Sequence, residues 1–141
     1  MRDEYAIAVH GGAGSVNPKL LSTEKRDRYE AALREAMEAG MSRMSFGGDA
    51  LEAVEAAVRI LEDDPVFNAG HGAVLSNNEE HELDAAIMSG MGKAGSVAAV
   101  KRIKNPVSLA KAVLHDGNYV LLVAEGAEQF AEFKGMPLVD N

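Results

Sequence analysis

With 141 residues, nearly half of them hydrophobic, the chain can bury the core of one domain, and its length asks for no second. A net charge of −8, with the basic residues scattered, argues against a nucleic-acid or anionic-membrane surface. The absence of cysteine excludes disulfides, thiolate nucleophiles and thiolate metal sites.

The opening MRDEYAIAVH has an acidic pair where a secretory signal would be basic, and its apolar run is too short to cross a bilayer, so a cytoplasmic protein is expected. Within it, residues 5–10 predict a short buried strand bounded by charge and then by glycine. A long helix follows. Tyr29, Leu33, Ala36, Met37, Met41 and Met44 recur at helical steps, Ser22 or Thr23 can cap the start, and Gly47-Gly48 stops the run. A second helix opens on DALE, where Asp49 and Glu52 have the spacing of a capping box, and Leu51, Val54, Val58 and Leu61 make its apolar stripe. It should end at Asp63-Asp64-Pro65, because the residue before proline is pushed out of helical dihedrals. The two aspartates could be paired carboxylates, but solvated helix caps explain them more simply.

Residues 73–103 alternate apolar segments with turn clusters: AVL, SNNEE, HELDAAIM, SGMGKAG and SVAAVKRI. Neighbouring strands are expected there, at least one pair antiparallel. Asn105-Pro106 predicts a cap followed by proline in the first helical turn, with the helix running to about His115. YVLLVAE predicts another buried strand, and GAEQFAEFKG a last helix closed by Gly135. A mixed α+β chain fits this order better than a doubly wound parallel sheet.

The glycine clusters raise a nucleotide-binding alternative, which each motif fails in detail. HGGAGSV lacks the G-x-G-x-x-G spacing and has NPKLL before the helix; GHGAVL ends on leucine where the third glycine belongs. GMGKAGS has Ile87 and Ala94 where a phosphate loop needs glycine and a hydroxyl. His10, His71, His81 and His115 have no metal-ligand spacing, and HELDA lacks the second histidine of a zinc helix, so His81 reads as a polar strand-edge residue. No G-x-S-x-G elbow presents a serine.

Taken as a unit, LEDDPVFNAGHGAVLSNNEEHELDAAIMSG, with AVHGGAG before it and KNPVSLA and EGAEQFA after it, resembles the plant-type asparaginases, or isoaspartyl peptidases, of the N-terminal nucleophile hydrolase superfamily. The likeness is to the α subunit and covers nearly the whole chain. The HGGAG opening is similar to the asparaginases rather than to the glycosylasparaginases, which remain an alternative as a related amidase. The resemblance implies an αββα sandwich of which this chain, residues 1–141 as a single unit, supplies the N-terminal half. It also implies a precursor that cuts itself before a threonine, giving an αβ heterodimer that pairs into an (αβ)2 assembly. The freed threonine amine would activate its own hydroxyl to attack the side-chain amide of L-asparagine or of a β-aspartyl dipeptide, through an acyl-enzyme. Thr23 is the chain's only threonine, it stands at a helix start, and no G-T-V-G-A-like cleavage sequence occurs, so the nucleophile is expected in the β subunit.

By the same resemblance His10, Gly11, Gly12, Ala13 and Gly14 form an active-site loop beside that threonine, where small residues allow close backbone approach. An ordinary strand-to-helix connection is the other reading of these glycines. Asn68 would orient the nucleophile; otherwise it is a turn asparagine. The main-chain carbonyls of Leu61, Glu62, Asp64, Phe67, Ala69 and His71 would hold a structural sodium ion, with no cofactor needed for catalysis. Two departures stand out: Met88-Ser89-Gly90 where the family often has MDG, and Gly117-Asn118-Tyr119 in a segment that potassium-dependent members use for activation. Sodium-type structure without potassium activation is therefore expected. A subunit that only binds a partner is a third class of reading.

Overall fold

The computed structural model describes residues 5–13 and 21–140. Its order is helix α1 (Thr23–Ser45), helix α2 (Ala50–Asp63), a 3-10 turn (Gly70–Gly72), strands β1 (Leu83–Met88) and β2 (Ala94–Val100), helix α3 (Pro106–Asp116), strand β3 (Leu121–Val123) and helix α4 (Ala124–Phe133).

The first two helices begin where local chemistry says they should. Ser22 Oγ accepts the Lys25 N–H at 3.2 Å. Asp49 accepts from Glu52 N at 2.8 Å while Glu52 Oε2 takes the Asp49 N–H at 3.1 Å, closing the capping box. The stripe that α1 buries differs from the expected one. Ala32, Ala36 and Gly40 are the buried positions, whereas Met37 and Met41 stay more than a third exposed. Opposite them α2 buries Ala53 and Ala57 rather than its larger Leu51, Val54, Val58 and Leu61. A Cβ added at Gly40 would strike the Ala53 carbonyl and Ile7, so the two helices approach through their smallest residues.

The sheet has the order β1-β2-β3. β1 and β2 form an antiparallel hairpin, and β3 returns through α3 to pair parallel with β2. Leu83 and Ile87 of β1, Val97 and Val100 of β2, and Leu109 and Val113 of α3 fill the core between them. Gly95 lets α3 lie directly on β2, since a Cβ there would meet the Ala110 carbonyl and the Leu114 backbone. Near the end of the hairpin the register shifts between Leu83 and Ala85, and Asp84 Oδ1 takes the Ala99 N–H at 2.8 Å where Ala99 adopts φ +53°.

Three segments depart from the sequence expectation. Residues 5–10 run extended but join no strand among the described residues, with Tyr5, Ala6 and Ala8 exposed, because this chain offers them no ladder. Residues 73–75 also form no strand, and β3 is three residues long with Leu121 and Val123 half exposed rather than buried. Asn105 makes no side-chain cap on α3. Glu62 does that work from α2, its Oε1 accepting the Val107 N–H at 2.9 Å, and Asn105 Nδ2 donates to Asp63 Oδ1 at 3.0 Å instead.

The outer face of the sheet is apolar and open. Met88, Leu121 and Val123 are each at least half exposed, and Ala86, Ala94 and Ala98 lie on the same face by strand alternation and register. Among the described residues no helix is long and apolar enough to cross a membrane.

Candidate active site

Two loops that the sequence singled out come together. Gly11, from the extended N-terminal segment, stands so near Phe67 that a Cβ would lie 2.8 Å from the ring's Cε1 and 3.2 Å from Leu33 Cδ2. Phe67 is buried and Asn68 follows it directly, so the glycine loop rests against the residue that carries the asparagine. Gly12 adopts φ +106°, a conformation side chains resist, and its N–H donates to His10 Nδ1 at 3.1 Å, which puts the His10 proton on Nε2. His10, Gly11, Gly12 and Ala13 are all exposed here; Gly14 lies outside the described residues.

Asn68 is exposed, but its carbonyl end is committed. Oδ1 accepts the Val74 N–H at 3.0 Å across the loop, leaving Nδ2 with no hydrogen-bond partner among the described residues. Its amide plane is thus held by the backbone six residues later, which is more than a turn asparagine needs.

Between α2 and Val74 the chain folds into a compact knot of carbonyls. Gly70, at φ +48°, turns where a Cβ would collide with the Glu62 carbonyl, and a Cβ on Gly72 would collide with the carbonyls of Phe67 and Pro65. Main-chain oxygens of Glu62, Pro65 and Phe67 therefore lie against the two glycines of this turn, which leave no room for a side chain at positions 70 and 72. Carbonyl oxygens are the donor type a hard cation takes. No group of three or more His, Asp or Glu side chains that could hold a metal occurs among the described residues.

The aspartates at the end of α2 are not a solvated pair. Asp64 is buried, with Oδ2 2.5 Å from Arg28 Nη2 and Oδ1 accepting the Val66 N–H at 3.1 Å. Asp63 is more exposed and pairs with Lys104 at 3.1 Å. The proline ends the helix as expected, but the freed carboxylates turn to separate partners, one inward and one along the surface. Glu62, at 3% exposure, is the more deeply buried of the two buried acids here. Burial pushes its carboxyl up to about 7, against the hydrogen bond from the Val107 N–H that favours the charge. With Asp63, His71, His81, Lys104 and Asp140 it lines a cavity of about 420 Å³. Sequence reading passed over Glu62 as a side chain, since its partner is a backbone amide far along the chain. The only clue was an acid at the last turn of an amphipathic helix.

Two of the three glycine clusters lose the geometry of a nucleotide loop. Gly90 and Gly92 sit in the β1–β2 hairpin turn and Gly70–Gly72 in a 3-10 turn, so neither cluster joins a strand to the N-terminus of a helix. The departures are absorbed locally: Ser89 Oγ takes the Lys93 N–H at 3.2 Å inside the hairpin turn, and Gly117, at φ +77°, is the left-handed cap of α3.

A family model described as asparaginase, Asparaginase_2, matches residues 3–141. The chain is 45% identical over 134 residues to an isoaspartyl peptidase of Escherichia coli, covering 94% of this chain and 42% of that protein. It is 44% identical over 136 residues to an isoaspartyl peptidase/L-asparaginase of Xenopus laevis, covering 96% and 42%. Against a plant-type L-asparaginase of Pyrococcus abyssi it is 45% identical over 136 residues, covering 96% and 43%. The chain thus spans about two-fifths of the length of the curated relatives it matches. Since the family model takes in nearly every residue, the glycine loop and the Asn68 turn included, the chain belongs to the asparaginase family.

Proposed function

We propose that this chain is the α subunit of a threonine-dependent amidohydrolase that cleaves the side-chain amide of L-asparagine and β-aspartyl dipeptides. The observation that carries the reading is the juxtaposition of Gly11 with Phe67, beside an exposed Asn68 whose Oδ1 is taken by Val74 while its amide nitrogen is left for a partner. One cleft wall then offers a backbone without side chains and one fixed donor. Thr23 does not compete as nucleophile, because it is the first residue of α1, directly after the Ser22 cap.

The nucleophile comes from a β subunit cut from the same precursor. Its hydroxyl oxygen attacks the amide carbonyl carbon while its own amine takes the hydroxyl proton and passes it to the departing ammonia or amine; water then cleaves the acyl-enzyme. Asn68 Nδ2 donates to the threonine oxygen and fixes its direction. His10 through Gly14 back the nucleophile where no side chain intrudes.

The uncovered apolar face of the sheet supports the αββα sandwich. Met88, Leu121 and Val123 need a second sheet to bury them, and the extended residues 5–10 need a neighbouring strand. The β subunit supplies these surfaces, and αβ units pair into (αβ)2 in the cytoplasm. The carbonyls of Leu61, Glu62, Asp64, Phe67, Ala69 and His71 hold a structural sodium ion, which braces the Asn68 loop and takes no part in the chemistry. Potassium is not an activator. The placement of the Glu62 and Phe67 oxygens against Gly70 and Gly72 supports this site.

Intact mass of the purified full-length product, together with release of ammonia from L-asparagine and of aspartate from a β-aspartyl dipeptide, tests the proposal. Two chains, the second beginning with threonine, and turnover of either substrate are expected. A single uncut chain that hydrolyses them, or a cut pair that hydrolyses neither, overturns it. Replacing sodium by tetramethylammonium should lower Tm and slow turnover, and adding potassium to the sodium form should leave the rate unchanged.

A further inference from the structure

Helix α1 grips the Asn68 loop through two consecutive residues. Arg28 Nη2 meets Asp64 Oδ2 at 2.5 Å, and Tyr29 meets Phe67 edge-on with ring centroids 5.8 Å apart. Asp64 is buried, so its carboxylate has little water to compensate for loss of the guanidinium. Its second oxygen accepts the Val66 N–H and its carbonyl accepts the Phe67 N–H at 3.3 Å. The ion pair is therefore wired into the backbone of the very turn that aims Asn68. Phe67 is caught between Tyr29 on one side and Gly11 on another, and Asn68 is the next residue.

We propose that Arg28 and Tyr29 are positioning residues, which act through Asp64 and Phe67 to hold the Asn68 amide at the angle the nucleophile requires. This rests on the role of Asn68 given above. The Arg28 side chain is half exposed while Asp64 is buried, so loss of the guanidinium strands the carboxylate at this turn and the disturbance starts there. Its effect is on geometry: a site held slightly loose loses rate long before the fold is lost.

The test uses the full-length enzyme with Arg28→Met, which keeps the aliphatic stem, and Arg28→Lys, which keeps the charge. Hydrogen exchange by mass spectrometry and steady-state kinetics are read on both. For Arg28→Met, exchange over residues 64–74 should quicken while β2 and α3 keep their protection, and kcat should fall about tenfold with KM within about twofold, the signature of lost positioning. Arg28→Lys should restore part of both. Unchanged exchange at residues 64–74, exchange raised equally throughout the molecule, or local loosening with kcat intact would each overturn the proposal. If the parent enzyme turns over neither substrate, the proposed function fails, and the grip of α1 on the loop is then judged on exchange alone.

Discussion

Gly11 leaves no room for a methyl group. Phe67 Cε1 would lie 2.8 Å from it, in a ring already held edge-on by Tyr29, so the ring cannot simply step aside. Gly11→Ala should therefore displace Phe67 and, with it, Asn68, lowering kcat by about tenfold or more through misplacement. Gly12 fails differently. Open space surrounds it, but its φ of +106° is costly for any side chain, so Gly12→Val should cost about 1–3 kcal/mol of local strain and slow self-cleavage of the precursor. Asn68→Ala removes the amide nitrogen together with the Oδ1 bond to Val74; a loss of about 100-fold in kcat, typical of removing one preorganised donor, is expected with the far-ultraviolet circular dichroism unchanged. Kinetics at the wild-type level in Asn68→Ala would remove the residue from the site.

At the scale of elements, α2 and α3 are joined by acids of opposite behaviour. Glu55 accepts from Ser108 Oγ and Lys111 Nζ, both at 2.7 Å. Burial pushes its carboxyl up, but the Lys111 and Ser108 bonds together outweigh that and hold it below the usual value of 4.5. A carboxyl lowered on folding contributes stability above its unfolded value, and that contribution fades as pH falls through the folded one. Glu55→Gln should thus lower stability at pH 7 by about 1 kcal/mol or less, the scale of a partly solvated pair, and the gap should close in melts taken below pH 4.5. A gap independent of pH would mean that the ion pair contributes nothing. The same helices show what a sequence can and cannot disclose. The Asp49–Glu52 box and the Ser22 cap were legible because every atom involved lies within a few residues. Glu62 as the cap of α3 was not, because its partner Val107 is 45 residues away and only packing brings them together. Large residues drew most of the attention on α1, and of its buried positions Ala36 was in the expected stripe but Ala32 and Gly40 were not, since close helix approach rewards small side chains that hydrophobicity ranks low. For the site, resemblance named the Asn68 loop and the glycines, but the pairing of Arg28 with Asp64 escaped notice: an arginine on a polar helix face is mute until its partner is seen.

At the scale of the whole molecule, the sheet is apolar on both faces but covered on one. Leu83, Ala85 and Ile87 point toward α3, whereas Met88, Leu121 and Val123 point away from it into solvent, so one face of the same three strands is covered and the other bare. A water-facing antiparallel sheet would alternate apolar with polar residues; here the outward positions are alanine, methionine, leucine and valine, relieved by Ser96 and Asp84. Such a face is disfavoured in water and favoured against a second sheet. Lysine at Leu121 or Val123 separates the two settings. In residues 1–141 expressed alone, Leu121→Lys should reduce binding of a hydrophobic dye and delay aggregation, because a charge replaces exposed apolar surface and disturbs no packed neighbour. In the full-length protein the same change would force that charge into the sheet interface, and cleavage and assembly should fail or the melting temperature drop by several degrees, as burial of an unpaired ammonium demands. Equal tolerance in both forms would show that this face stays in solvent throughout, and with it the picture of one half of a sandwich would have to be given up.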